Sequence, residues 1–157
     1  MLEAGQPAPP FSLPDADLEP VELGQFKGKC NIVLYFYQRD GSPSCTTQAT
    51  EFTDSEDDFA RMNTIVIGVS PDDCIKHQEF RDEHGISIRL LADVDVEAAR
   101  LYGVLQEREM NGIVKTGIQR STFVIDRGGV VRHAEYGVAP RGHAREMLEV
   151  VRHLKLA

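Results

Sequence analysis

The reactive chemistry open to this 157-residue chain centres on three cysteines, Cys30, Cys45 and Cys74. Cys45 is the most informative, because it follows the loop-like stretch 38–44 (QRDGSPS) and opens a segment with helical periodicity. Where a loop leaving a strand becomes a helix, free backbone N–H groups and the positive end of the helix dipole stabilise a thiolate and lower its pKa. The thiolate is the nucleophilic form, so this placement suits attack on an electrophile. An electrophile under attack also needs donors beside it, to hold it and to neutralise charge on the departing group. Ser42, three residues earlier in the same loop, offers a hydroxyl, and the N–H groups of Ser44 and Cys45 offer more.

The other two cysteines read differently. Cys30 precedes the apolar run 32–37, whereas Cys45 lies beyond its end. About seven strand residues at about 3.3 Å each separate them by roughly 23 Å. A disulfide needs Cα atoms within about 7 Å, so Cys30 is read as structural. Cys74 falls in the first turn of the helix expected after the run 64–69. If that run pairs in parallel with 32–37, both helix starts open at one edge of the sheet, on strands about 4.8 Å apart. Partial unwinding would then let Cys74 join Cys45; the alternative is that Cys74 fills a small apolar helix position. The odd cysteine count and the lack of a CxxC pair exclude a disulfide framework and make a dithiol oxidoreductase a poor fit. Cys74-x-x-His77 lacks a second pair with ligand spacing, so no metal site is expected. His84, His133, His143 and His153 lie in polar stretches and are read as surface residues.

Several elements must position these groups. The runs 32–37 (IVLYFY) and 64–69 (TIVIGV) are continuously apolar, as strands buried on both faces are. From Cys45 a helix is expected to turn Ala49, Phe52, Phe59 and Met62 inward. Ser70-Pro71 predicts an N-cap and first helical position, and Gly85 the end of that helix. Short strands are expected near 11–13, 21–23 and 89–91, with a short helix over 94–102. The runs 121–125 and 130–136, joined by Asp126-Arg127-Gly128-Gly129, predict a hairpin. A final helix is expected over about 142–155, with Ala144, Met147, Leu148, Val151 and Leu154 inward. The result is one α/β domain spanning 1–157, with a mixed central sheet, helices on both faces and an N-terminal strand pair.

Composition narrows the function. The net charge of −8 repels phosphate backbones and anionic lipid, which argues against nucleic acid and membrane partners. No apolar stretch approaches the length of a membrane span. The N-terminal residues show no basic segment followed by an apolar one, so a cytoplasmic location, where thiols stay reduced, is expected.

Residues 35–52 (YFYQRDGSPSCTTQATEF) resemble the active-site segment of the peroxiredoxins, in particular the peroxiredoxin Q or bacterioferritin comigratory group. The resemblance extends to GQPAPPFSLPD at the start, GVSPDD at 68–73, LLAD at 90–93 and GIQRSTFVIDRGGVVRH at 117–133. It implies a thioredoxin-like fold and a thiol peroxidase in which Cys45 reduces hydrogen peroxide or alkyl hydroperoxides, with no metal, haem or flavin. It also implies that Arg120 stabilises the thiolate and orients the peroxide, and that a thioredoxin-like donor recycles the enzyme; a monomer is expected. The chain departs from the family motif PxxxTxxC at two positions, with Gln38 for proline and Ser42 for threonine. Gln48 stands where the family often has glutamate, and so brings no charge to Arg120. Family members that resolve through a nearby cysteine place it where this chain has Thr50 or Arg81; Cys74 lies seven residues before the latter. The resemblance therefore leaves three readings: resolution by Cys74, a one-cysteine peroxidase, or a redox-sensing protein with a weakened site.

Overall fold

The computed structural model describes residues 1–156. The chain opens with a short antiparallel pair, β1 (Ser12–Pro14) and β2 (Pro20–Glu22), followed by a 3-10 turn at Leu23–Phe26. Strand β3 (Asn31–Phe36) leads to α1 (Pro43–Asp54) and α2 (Glu56–Ala60). Strand β4 (Thr64–Ser70), helix α3 (Cys74–His84), strand β5 (Arg89–Ala92) and helix α4 (Glu97–Leu101) come next. A separate hairpin, β6 (Leu105–Met110) with β7 (Ile113–Ile118), precedes β8 (Ser121–Ile125), β9 (Val131–Tyr136) and α5 (His143–Leu154).

The central sheet has the order β5-β4-β3-β8-β9. Strands β3, β4 and β5 are mutually parallel, while β8 and β9 run antiparallel to their neighbours. Alternation along β3 divides the interior. Ile32, Leu34 and Phe36 face a cluster with Ala98, Ala99 and Tyr102 of the α4 region and with Leu13 and Val21 of the strand pair. Val33, Tyr35 and Tyr37 face a second cluster with Ala49 and Phe52 of α1, Phe59 of α2, and Met147 and Val151 of α5. Both faces are thus covered by helices, which is why β3 reads as a continuous apolar run.

Three sequence expectations need correction. The helix at Cys45 begins at Pro43 and breaks at Ser55 into α1 and α2. Ser70 does not cap α3: it ends β4 and donates its hydroxyl to Asp72 Oδ2 at 2.7 Å, while Asp73 caps the helix by accepting from the Lys76 N–H. An aspartate three residues further on, Asp73, takes that role and starts the helix later. The β6–β7 hairpin was not expected at all, because its six-residue strands are largely exposed and carry no apolar alternation. Gly85 does end α3, with a left-handed φ of 64°. Among the described residues no helix is long and apolar enough to cross a membrane.

Gly68, on β4 opposite Tyr35, is a packing requirement: a Cβ there would lie 2.9 Å from Tyr35 Cζ and Oη. Tyr35 has no room to yield, being fully buried and stacked on Phe52 at 4.8 Å between ring centroids. Gly68→Ala is expected to cost about 1–3 kcal/mol by overpacking, read as a lower midpoint in denaturant unfolding with an unchanged slope.

Candidate active site

The site forms where β3 ends and α1 begins. Ser42 has extended backbone angles and serves as N-cap of α1, its hydroxyl accepting from the Cys45 N–H at 3.3 Å; Pro43 occupies the first helical position. These residues fix Cys45 in the first turn of a twelve-residue helix, at the positive end of its dipole. The thiol is only 1% exposed, so a partner larger than a small peroxide reaches it only after local opening.

Arg120 arrives from the residue before β8, which pairs with β3. It is buried, and its Nη2 donates to Cys45 Sγ at 3.4 Å and to Ser44 Oγ at 3.0 Å. Its Nη1 donates to Gln48 Oε1 at 2.5 Å, one turn further along α1. Gln48 thus holds the guanidinium through its carbonyl oxygen without a charge; the Gln48 amide nitrogen has no partner and faces the interior. Gln38, at the family's proline position, spans the mouth of the site. Its Nε2 donates to the Ile118 carbonyl at 3.2 Å, and its Oε1 accepts from the Cys45 thiol at 3.6 Å.

Burial pushes the Cys45 thiol up, but the Ser42 hydroxyl, the Arg39 backbone N–H and the Arg120 charge and hydrogen bond outweigh it, leaving the pKa below its ordinary value. Ser42, Cys45 and Arg120 are therefore brought together. Gln48 meets Arg120 at the position the family resemblance implies, while the Ser44 hydroxyl, Gln38 and the Arg39 N–H complete the shell as contacts the sequence does not reveal. Their spacing within one loop and one helix turn was the available signal, but it does not say which side chains turn inward.

Cys74 is not among the groups that touch Cys45. It is the first residue of α3, and Gln78 and Arg81, on the same helix face, bond to the Ala16 carbonyl at 2.6 Å and to Asp17 Oδ1 at 2.9 Å. That face looks toward the turn between β1 and β2, whose Asp15 bridges Leu91 of the edge strand β5. Burial, with Asp15 and Asp73 adding to it, pushes the Cys74 thiol up. Cys30 lies just before β3, half-buried, and burial raises its pKa as well. Two histidines expected at the surface or left unassigned are interior: His143 is buried behind α1, and His77 lies in a network with Asp40.

The loop before Cys45 is tied to the start of α3. Tyr37 donates its hydroxyl to Asp40 Oδ1 at 2.6 Å, and His77 Nδ1 meets Asp40 Oδ2 at 2.5 Å. The Asp40 N–H donates to Asp72 Oδ2 at 2.7 Å. A mostly apolar cavity of about 570 Å³ opens beside Gln38, with Pro71, Val96, Leu105 and Ile118 in its walls.

The model of the AhpC/TSA family matches residues 4–134. The chain is 39% identical over 148 residues to a putative peroxiredoxin bcp of Helicobacter pylori, covering 94% of this chain and 97% of that protein. It is 38% identical over 151 residues to peroxiredoxin Bcp of Bacillus subtilis, covering 96% of each. Among solved structures it resembles peroxiredoxin Q of Xanthomonas campestris, with a TM-score of 0.89, 29% identity, and 92% and 91% of the two chains covered. A bacterioferritin comigratory protein of the same organism, described by its alkyl peroxide reduction activity, gives a TM-score of 0.89 at 28% identity, with 92% of each chain covered.

Proposed function

This chain belongs to the AhpC/TSA family and is a thiol-dependent peroxidase of thioredoxin-like fold; from that premise we propose that Cys45 is its peroxidatic residue. The Cys45 thiolate attacks one peroxide oxygen, the O–O bond breaks, and the other oxygen leaves as hydroxide or alkoxide, which takes up a proton. Sulfur is oxidised to sulfenic acid and the peroxide is reduced to water or alcohol. The observation that carries this reading is the Arg120 guanidinium, 3.4 Å from Cys45 Sγ and anchored on Ser44 and Gln48. One cation there stabilises the thiolate before attack and the departing oxyanion during it. The Ser42 hydroxyl supports the thiolate from the other side. The cavity beside Gln38, with Pro71, Val96, Leu105 and Ile118 in a wall that also carries Arg108 and Lys115, suits the organic part of an alkyl hydroperoxide.

In the second half of the cycle the Cys74 thiol attacks the Cys45 sulfenic acid, a disulfide forms and water leaves; a thioredoxin-like dithiol then reduces that bond in the monomer. The parallel β3–β4 pairing supports this, since both following helices start at one edge of the sheet. The first turns of α1 and α3 must open for the bond to form, because Cys45 is enclosed and the Cys74 face is engaged with the β1–β2 turn. That same engagement, with the raised Cys74 pKa, favours the second reading, a one-cysteine cycle in which an external thiol attacks Cys45 directly.

Peptide mapping under non-reducing conditions, after one equivalent of hydrogen peroxide, separates the readings. The expected product is Cys45 joined to Cys74 within one chain, with Cys30 free. Cys74 free and Cys45 as sulfenic acid or bonded between chains establishes the one-cysteine cycle. Unmodified Cys45 with another cysteine oxidised overturns its peroxidatic role.

A further inference from the structure

Two clusters outside the thiol site gather groups able to ligate a metal. In the first, Asp40, Asp72 and His77 are already satisfied by Tyr37, the Asp40 N–H, Ser70 and the Leu91 carbonyl, so a cation would have to displace existing hydrogen bonds. The second, Glu135, His143 and Glu146, is different. Glu135 lies on β9, opposite Thr122 of β8, and His143 and Glu146 lie on the first turn of α5, which packs over these strands.

His143 is 1% exposed, and its two ring nitrogens are in unequal positions. Nε2 lies 2.7 Å from Thr122 Oγ1, while Nδ1 is buried with no hydrogen-bond partner. A buried unpaired ring nitrogen is costly unless something occupies its direction. Nδ1 points at the Glu146 carboxylate, 3.9 Å away, and a carboxylate oxygen of Glu135 completes a triangle whose corners all lie within 4.8 Å of one another. With the proton on Nε2 and donated to Thr122, Nδ1 presents a lone pair toward two carboxylates, and three ligand atoms converge.

We infer that Glu135, His143 and Glu146 form a binding site for a borderline divalent cation of the Zn²⁺ type. One imidazole nitrogen with two carboxylate oxygens is a donor set suited to such an ion. The supporting shell is present. Thr122 Oγ1 holds the far ring nitrogen of His143, so the tautomer protonated at Nε2 leaves Nδ1 open to a cation, and His133 Nε2, 3.1 Å from Glu135 Oε1, orients that carboxylate. The Glu135 and Glu146 carboxylates approach one another within 4.8 Å, a like-charge cost that a cation would remove. The start of α5 and Arg120 add positive potential nearby, which the two carboxylates must outweigh. Glu146 is half-exposed, so its side chain is free to close the triangle to bonding distances around 2 Å from the ion, leaving the fourth position to water. Such an ion would fasten α5 to the sheet edge behind α1, where His143 meets the Phe52 ring edge-on at 5.9 Å.

The test uses the reduced, full-length protein titrated with Zn²⁺ by calorimetry and with Co²⁺ by absorption. The expected result is one ion per chain, Co²⁺ d–d bands without the ultraviolet thiolate band, and a rise in thermal midpoint with Zn²⁺. Glu146→Gln, at an exposed position that leaves the fold intact, should weaken binding by at least tenfold, on the scale of disturbed metal shells. Its peroxide turnover without metal should match the parent. Absence of saturable binding, a thiolate band in the Co²⁺ spectrum, or equal affinity in the parent and Glu146→Gln overturns the site.

Discussion

Cys45→Ser is expected to abolish peroxide reduction while leaving the fold intact. Sulfur is the only group at the site that can be oxidised by peroxide and then reduced by a thiol, and a serine hydroxyl stays protonated at neutral pH. The substitution is close in volume, and the new hydroxyl would meet Gln38 Oε1 and the Arg120 guanidinium, so no buried polar atom is stranded. Circular dichroism and the unfolding midpoint should remain near the parent, while peroxide consumption falls to the uncatalysed background. Activity within twofold of the parent would remove Cys45 from the mechanism. A parent protein that forms the sulfenic acid but does not turn over would instead favour the redox-sensor reading.

The same variant exposes the linkage of Cys45 to stability. The native thiol has a lowered pKa, whereas the unfolded thiol titrates near about 8.5. Between those two values the unfolded chain holds a proton that the native chain has released, so stability rises with pH across that window and is lost as pH falls through the native pKa. The parent should therefore gain stability relative to Cys45→Ser as pH rises through it.

Arg120→Ala carries the second-largest expected effect. It removes a buried cation that donates to Cys45, Ser44 and Gln48. With burial opposed by fewer groups, the Cys45 pKa should rise, and the rise of rate with pH should move to more alkaline values. At neutral pH the second-order rate with peroxide should fall about 10²-fold or more, the scale of losing one preorganised donor to a developing oxyanion. Arg120→Lys should recover part of the pKa shift but little of the rate, because an ammonium keeps the charge and loses the planar fork that reaches Cys45, Ser44 and Gln48 together. An unchanged rate and thiol pKa in Arg120→Ala would show that the guanidinium is only a packing element.

The sequence by itself determined whatever depends on neighbours along the chain. The loop 38–44 and the periodicity after it place a helix start near Cys45, though the Ser42 cap and the first helical residue Pro43 emerge only in the structure, and Gly85 ends α3 because a left-handed residue is needed there. The buried strands β3 and β4 are legible from their unbroken apolar runs, as is the hairpin from the turn at Asp126–Gly129. Tertiary structure alone decided which distant groups share a volume. Arg120 and Gln48 are 72 residues apart and meet only because β8 pairs with β3, carrying the guanidinium to the first turns of α1. His143 looks like a surface residue in its polar stretch and is buried because α5 lays that face on Thr122 and Phe52. The side on which Cys74 lies was likewise invisible, because the helix face is set by contacts of Gln78 and Arg81 with a turn some 60 residues earlier. Local patterns encode backbone conformation through sterics and capping, whereas convergence of side chains at a site is set by strand order and helix rotation, which depend on the packing of the whole core.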